Sequence, residues 1–454
     1  MTRIENKGLW EPRFERDSCG FGLIAQLDGH ASHGIVRSAI QALERLTHRG
    51  AVAADGKTGD GCGLLMAAPR YFLENAAAAA GIEIGERFAA GLVFLNPEEE
   101  AAANARRQLE ALLTAEGLRP DGWRVVPTDS SVCGDQALES LPLVEQIFVT
   151  APDGMDGREF DRRLFVARRR AELALAGQDP VFYIASLSCR TLSWKAMVMP
   201  DCLTRFYPDL QDESLAASIC VFHQRFSTNT MPQWRLAQPF RLLAHNGEIN
   251  TIQGNRNWAI ARGARFKSPV LPELAELQPL VSLEGSDSSS LDNMLEVLTQ
   301  GGMALMHALR LLIPPAWHTV DALDPDVRAF YEYYGMHIEP WDGPAGIVVT
   351  DGVQAACCLD RNGLRPARYV ITADRHITIA SEIGVCDYRP EDVVAKGRLG
   401  PGEILLIDTE TAEVLETSAV EQRLKSLAPF KDWLRQGVRY LDSELFDPQL
   451  SAEP

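Results

Sequence analysis

The chain has 454 residues, 46% of them hydrophobic, enough for one large domain or two to three ordinary ones with a buried core. Its 44 Lys and Arg against 62 Asp and Glu leave a net charge of −18, which argues against a nucleic-acid surface and against an anionic membrane surface. Nine scattered cysteines (19, 62, 133, 189, 202, 220, 357, 358 and 386) show no C-x-x-C or zinc-ligand spacing, the pattern of reduced thiols in a cytoplasmic protein without a structural metal.

Residues 1–18 are polar and charged, with no apolar run after the basic residues, so they do not read as a secretory signal. No stretch is long and apolar enough to span a bilayer. A short buried strand is predicted over 21–26 and a helix over 34–46, with Ile35, Ala39, Leu43 and Leu46 on one face. The helix stops at His48-Arg49-Gly50, and a Gly-rich loop over 55–63 leads to an apolar run over 64–68. A helix over 70–80, a strand over 88–95, a helix over 98–115, a strand over 147–150 and an Arg-rich amphipathic helix over 160–175 follow. Two strands are predicted within 182–199, and one each over 218–226 and 241–245. Two helices within 287–312 are separated at Gly301-Gly302. Residues 346–407 are strand-rich, with turns at Asp351-Gly352, Asn362-Gly363 and Asp374-Arg375. Cys357 and Cys358 point to opposite faces of a strand. The last forty residues read as helical, then polar. With no repeat and no Pro/Gly-rich linker, one large domain of helices and many antiparallel strands is the simplest account.

The stretch Arg16-Asp17-Ser18-Cys19-Gly20-Phe21-Gly22 places a thiol before two glycines that let a ligand approach the backbone. A cut between Ser18 and Cys19 gives that residue a free α-amine with a pKa of about 7.7–8.0, able to take the thiol proton without a histidine. On this stretch alone a small buried cysteine opening a strand is the competing reading.

Three other patterns carry less. Gly56-Lys57-Thr58 resembles the end of a P-loop, but Ala51 stands where the first glycine belongs and the preceding element reads as a helix. Gly59-Asp60-Gly61-Cys62-Gly63 lacks the third glycine of a dinucleotide fingerprint and has Asp60 where a nucleophile elbow needs glycine, so Cys62 reads as structural. His223 and His245, at predicted strand ends, read as hydrogen-bonding scaffold rather than general bases.

Four segments join Cys19: His48-Arg49-Gly50, His223-Gln224-Arg225-Phe226-Ser227-Thr228-Asn229-Thr230, Leu243-Ala244-His245-Asn246-Gly247-Glu248-Ile249-Asn250 and Gly285-Ser286-Asp287-Ser288-Ser289-Ser290. Taken singly, Asn-Gly is a turn, Asp before serines a helix cap, and an Arg at a strand end a solvated charge. Taken together, with Thr47 to Val52, Asp55 to Gly61, Pro340 to Gly346 and Leu359 to Pro366, they resemble the class II glutamine amidotransferases, which are N-terminal-nucleophile hydrolases. Within that family the chain is similar to the amidotransferase domain of the glutamate synthase large subunit, from about Arg16 to about Gly437.

The resemblance implies an α+β fold, a four-layer αββα sandwich with two largely antiparallel sheets. It divides the chain into a leader over 1–18, the amidotransferase domain over 19–425 and a helical, polar tail over 426–454. It implies Cys19 as the nucleophile on the side-chain amide of L-glutamine and its freed amine as the base. Asn246 and Gly247 would form the oxyanion hole, and Arg49 would sit beside the thiol, lowering its pKa and ordering the site. Arg225 would hold the substrate's α-carboxylate, Asp287 its α-ammonium group, and Thr228 would join them in substrate binding. In the family, ammonia passes to a synthase domain that aminates and reduces 2-oxoglutarate with FMN and an iron–sulfur cluster. Electrons come from an NADPH-oxidising small subunit or from ferredoxin. The sequence holds no cluster spacing, so this chain is expected to carry only the glutaminase part, with no cofactor or metal of its own. Two other readings stay open. One is an unprocessed, non-catalytic regulatory or assembly module of the same complex. The other is an N-terminal-nucleophile hydrolase of another amide.

Overall fold

The computed structural model describes residues 19–225, 232–320 and 322–438. The leader, Thr228, Phe226 and the polar end of the tail lie outside the described residues. The first half runs β1 (Gly20–Gln26), α1 (His33–Arg45), β2 (Cys62–Ala67), α2 (Arg70–Ala79), β3 (Phe88–Leu95), α3 (Glu99–Ala115), β4 (Arg119–Val125), α4 (Asp135–Glu139), β5 (Leu143–Thr150), α5 (Gly157–Leu175), β6 (Tyr183–Ser188), β7 (Thr191–Ala196), α6 (Leu203–Phe206) and β8 (Ile219–Gln224). The second runs β9 (Leu243–Gly247), α7 (Ile252–Gly263), α8 (Asp287–Gln300), α9 (Leu305–Leu312), α10 (Pro325–Gly335), β10 (Ala345–Thr350), β11 (Gln354–Leu359), β12 (Arg368–Thr372), β13 (His376–Ala380), β14 (Val393–Arg398), β15 (Ile404–Asp408), β16 (Glu413–Glu416), α11 (Thr417–Lys425) and α12 (Phe430–Gly437).

Most elements predicted from periodicity are present, and three of the unpredicted ones have clear physical explanations. β4 is a polar edge strand whose register slips between Pro120 and Gly122, so it lacks an alternating pattern. α7 buries only Asn255, Ala259 and Gly263, too few and too small to show a helical stripe. α10 has only a two-residue start signal, Asp324 before Pro325, whose Asp324 carboxylate accepts from the Asp326 N–H at 2.8 Å.

A seven-stranded sheet has the order β14-β12-β13-β1-β8-β2-β7 and a five-stranded sheet the order β16-β15-β11-β10-β9. Every pairing within them is antiparallel. Alternation along the strands builds the layers. Phe21, Leu23, Leu65, Val221, Val348, Cys357, Ile379 and Leu405 form one core between the two sheets. On the outer face of the seven-stranded sheet, Ile24, Leu64, Trp194 and Phe222 pack with Ile35, Ala39 and Leu43 of α1 and with α2. On the outer face of the five-stranded sheet, Leu243, Ile347, Cys358 and Leu406 pack with helices α8 to α12. The result is the αββα sandwich, with Cys357 and Cys358 on opposite faces of β11.

A third, four-stranded antiparallel sheet, β4-β5-β3-β6, was not anticipated. One face of β3 (Ala89, Val93, Leu95) packs under α3 and α5, while the other (Ala90, Leu92, Phe94) joins the α1 and α2 core. At the far end, Phe430 and Leu434 of α12 are buried in the same core as α8 and α9. Ile379 is fully buried in the core between the two inner sheets. Ile379→Ala is expected to cost about 2–5 kcal/mol, read as a lowered urea midpoint with an unchanged slope.

Candidate active site

The site forms where three strand ends meet. Gly20 pairs with Gln224 and Phe21 with His223, so the antiparallel register sets Cys19 opposite Arg225. Gln224 also pairs with Cys62 of β2, and the Arg225 N–H donates to the Gly61 carbonyl at 2.8 Å. From the other sheet, β9 brings Asn246 and Gly247, paired with Gly346 and Ala345. The Asn246 Nδ2 donates to the Cys19 carbonyl at 2.6 Å, across the two inner layers. A carboxamide has two N–H donors, so one remains beside Cys19 for a ligand.

Gly247 has φ +131°, and a Cβ there would lie 1.7 Å from the Pro344 carbonyl oxygen, so only glycine fits. The Glu248 N–H donates to that same oxygen at 3.1 Å. Ser286, not Asp287, caps α8, accepting from the Ser289 N–H at 3.1 Å. Asp287 occupies the first helical position. It accepts from the Ile249 N–H at 2.8 Å and the Ser288 N–H at 2.7 Å, tying the helix start to the loop after β9.

Arg225 sits in the left-handed region at φ 83°, a strained conformation for an arginine. Its Nε lies 3.3 Å from an oxygen of Asp60, which also accepts from the Ala51 N–H at 3.0 Å. Burial pushes the Asp60 carboxyl up. Arg49 pairs with Glu382, whose carboxylate also lies 3.9 Å from His48 Nε2. Glu382 follows Ser381, which accepts from the Phe21 N–H at 3.2 Å and donates its own N–H to the Phe21 carbonyl at 3.0 Å. Arg49 is thus fastened to the end of β13, beside the start of β1. Asp60 and Glu382 were not singled out from sequence, because only the strand register brings them to the site.

Cys19 is buried, and burial pushes its thiol up to about 12; Arg365 pulls it down, while Asp287 and Asp60 push it further up. Both neighbouring histidines are made weaker bases by burial. The fully buried His223 donates from Nε2 to the His245 carbonyl at 3.0 Å, and burial lowers it to about 3. His245 Nδ1 meets Ser288 Oγ at 2.9 Å, and burial lowers this group too. Elsewhere, the P-loop-like residues form a turn in which Asp55 accepts from the Lys57 N–H at 2.9 Å and the Thr58 N–H at 2.7 Å. Cys62 is buried in β2, its thiol against the Val198 carbonyl at 3.4 Å.

A family model described as "Glutamine amidotransferases class-II" matches residues 19–433. The chain is 41% identical to the glutamate synthase [NADPH] large chain of Bacillus subtilis (strain 168) over 432 residues, 95% of this chain and 28% of that protein. It is 43% identical to ferredoxin-dependent glutamate synthase 2 of Synechocystis sp. over 438 residues, again 95% of this chain and 28% of that protein. The chain therefore spans little more than a quarter of the length of these relatives. Among solved structures, the glutamine phosphoribosylpyrophosphate amidotransferase from B. subtilis is 14% identical, with a TM-score of 0.30 over 72% of this chain and 48% of that one.

Two predictions follow from this geometry. Gly247→Ala is expected to lose about 1–3 kcal/mol or more from backbone strain, whereas Gly254→Ala in α7, with open space around its Cβ, should be neutral or gain up to about 1 kcal/mol. Thermal melts of the two variants check the contrast. His223, His245 and His307 (lowered to about 4) all have folded pKa values below the unfolded value of 6.5. The unfolded chain therefore binds more protons as pH falls. Stability should be intact above about pH 6.5 and decline toward pH 4, measurable as unfolding free energy against pH.

Proposed function

Because the chain belongs to the class II glutamine amidotransferases, we propose that it hydrolyses L-glutamine to glutamate and ammonia through a thioester at Cys19. The observation that carries this is the junction of Cys19 with Asn246, the 2.6 Å bond that sets a carboxamide donor beside the nucleophile. Removal of residues 1–18 frees the Cys19 amine, which takes the thiol proton. The thiolate attacks the side-chain carbonyl carbon, and the second Asn246 N–H and the Gly247 N–H receive the oxyanion. The amine then protonates the leaving nitrogen, ammonia departs, and water cleaves the thioester to release glutamate and restore the thiol. Arg225 holds the α-carboxylate as a planar fork and Asp287 the α-ammonium group, with Thr228 completing the substrate contacts. Arg49, through Glu382, holds the entry to β1 in place.

The ammonia is used, in this reading, to convert 2-oxoglutarate to glutamate in a synthase part that lies outside the 454 residues. FMN and an iron–sulfur cluster belong to that part. Among the described residues no group of three or more His, Cys, Asp or Glu is arranged to hold a metal ion. Electrons come from an NADPH-oxidising subunit or from ferredoxin. Among the described residues no helix is long and apolar enough to cross a membrane, and we place the protein in the cytoplasm. The division into leader, domain and tail at 18/19 and 425/426 is part of the same reading.

One observation favours a second reading. With Cys19 bonded to Ser18 and its thiol pushed up by burial, the unprocessed chain is a quiet regulatory or assembly module. Intact mass distinguishes the two: a species beginning at Cys19 supports the enzyme, and a full-length species supports the module. In a processed enzyme, Cys19→Ser should abolish ammonia release from glutamine. Asn246→Ala should lower kcat about 10²–10³-fold with a smaller effect on KM. Hydrolysis of asparagine at the rate of glutamine would overturn the substrate assignment.

A further inference from the structure

We propose that Arg365 is the cation of this site: its guanidinium, set beside Gly247 by the loop between β11 and β12, stabilises the Cys19 thiolate and the oxyanion formed from glutamine. The oxyanion part of this role rests on the glutaminase reading; the thiolate part does not.

Two glycines make room for the side chain. A Cβ on Gly247 would lie 3.1 Å from Arg365 Nε, and one on Gly346 would lie 3.4 Å from Arg365 Cβ. These are neighbours on paired strands, Gly247 ending β9 and Gly346 facing Asn246 from β10. Arg365 therefore lies against the backbone that carries the oxyanion donors. Its Nε is buried and has no hydrogen-bond partner among the described residues. A buried donor left unpaired is costly, and such a group suits an acceptor that arrives with the reaction.

The loop that carries it is firmly held. Asp360 accepts from the Ala345 N–H at 3.0 Å and the Asn362 N–H at 2.8 Å, and its own N–H donates to the Ala345 carbonyl at 2.9 Å. Gly363 turns the chain at φ +61°, and the Leu399 N–H donates to the Ala367 carbonyl at 2.9 Å. The residue that pairs with Gly247 is thus bonded directly to the start of the Arg365 loop.

Among the described residues, Asp287 and Asp60 push the thiol up and Arg365 is the leading charge that pulls it down. Arg225 faces Asp60, Arg49 faces Glu382, and His245 is held neutral by burial with Arg365 adding to the effect. A fixed positive charge favours the thiolate over the thiol and a neutral α-amine over an ammonium group. Both shifts favour the nucleophile and base that the reaction needs. When glutamine binds, its ammonium group offsets Asp287, which leaves the Arg365 charge less opposed as the oxyanion forms.

The test compares Arg365→Gln, which removes the charge, with Arg365→Lys, which keeps it. The readout is the rate of Cys19 alkylation by iodoacetamide between pH 7.5 and 9.5, followed on the Cys19 peptide by mass. Expected is a rate at fixed pH about tenfold lower in Arg365→Gln, a shift of about one pH unit, with Arg365→Lys close to the parent chain. Equal rates in all three chains, with unchanged circular dichroism, would overturn the proposal. So would a parent Cys19 that does not react, since a thiolate held by a cation is not inert. Should Arg365→Gln fail to fold, a Lys variant that folds and keeps the parent pH profile supports the charge role, and one that folds but reacts tenfold more slowly counts against it. Glutamine hydrolysis is measured on the same proteins. A shifted alkylation profile without glutaminase activity in any of them would overturn the proposed function and leave the thiolate role of Arg365 standing.

Discussion

The hydrogen bond from Asn246 to the Cys19 carbonyl is the constraint on which the rest depends. β1 and β9 belong to different sheets, and sheets packed face to face stand about 10 Å apart. Their ends meet because the core beneath them is unusually permissive at one point. The Phe21 ring, fully buried, reaches across to β10, where a Cβ on Gly346 would meet it at 2.9 Å. Glycine at 346 lets the ring fill the gap, and the strand beside it then delivers Asn246. The polar bond at the rim and the aromatic contact below it are two parts of one junction.

That junction creates an electrostatic problem. Asp60 and Asp287 are brought close to a buried thiol, and both resist its ionisation. In the proposed function a bound amino acid answers part of this, because a zwitterion would carry a cation for Asp287 and an anion for Arg225. The remaining charge has to come from the protein itself, and the paired glycines at 247 and 346 leave space for one long cationic side chain. Glycine here does two different jobs. At 247 it permits a turn that other residues cannot make, and at 346 it yields volume to its neighbours.

How much of this was legible in the sequence depended on the kind of signal. Elements with a clean period were legible: the unbroken apolar run of β3, the stripe of α1, and the paired helices α8 and α9 split at Gly301-Gly302. β4, α7 and α10 were not, since a bulged edge strand and a helix burying Asn255 and Gly263 present no period, and the Asp324-Pro325 start is only two residues long. The four-stranded sheet was hidden for another reason. Its strands could be guessed singly, but their pairing depends on register, which no single strand carries. At the site, Cys19, Asn246, Gly247, Arg225 and Asp287 stood out through the motifs around them. Asp60, Glu382 and Arg365 did not, because the pattern around Asp60 reads as a glycine-rich turn, Arg365 follows an Asn-Gly turn, and Glu382 lies in no motif. Glu382 meets Arg49 across more than three hundred residues, and only the β1–β13 pairing makes them neighbours.

The histidines narrow the chemistry further. Two lie within reach of the nucleophile's strand, the usual source of a general base. Here each uses one ring nitrogen, His223 Nε2 on the His245 carbonyl and His245 Nδ1 on Ser288, and burial lowers the pKa of both. A group lowered to about 3 is too poor a base for a thiol pushed up to about 12. Asp60 and Asp287 repel the charge that deprotonation would create. In the proposed reaction the proton goes to the amine of Cys19 itself, a group present only once the 18–19 bond is cut. The buried histidines then serve to hold the two strands rather than to take the proton.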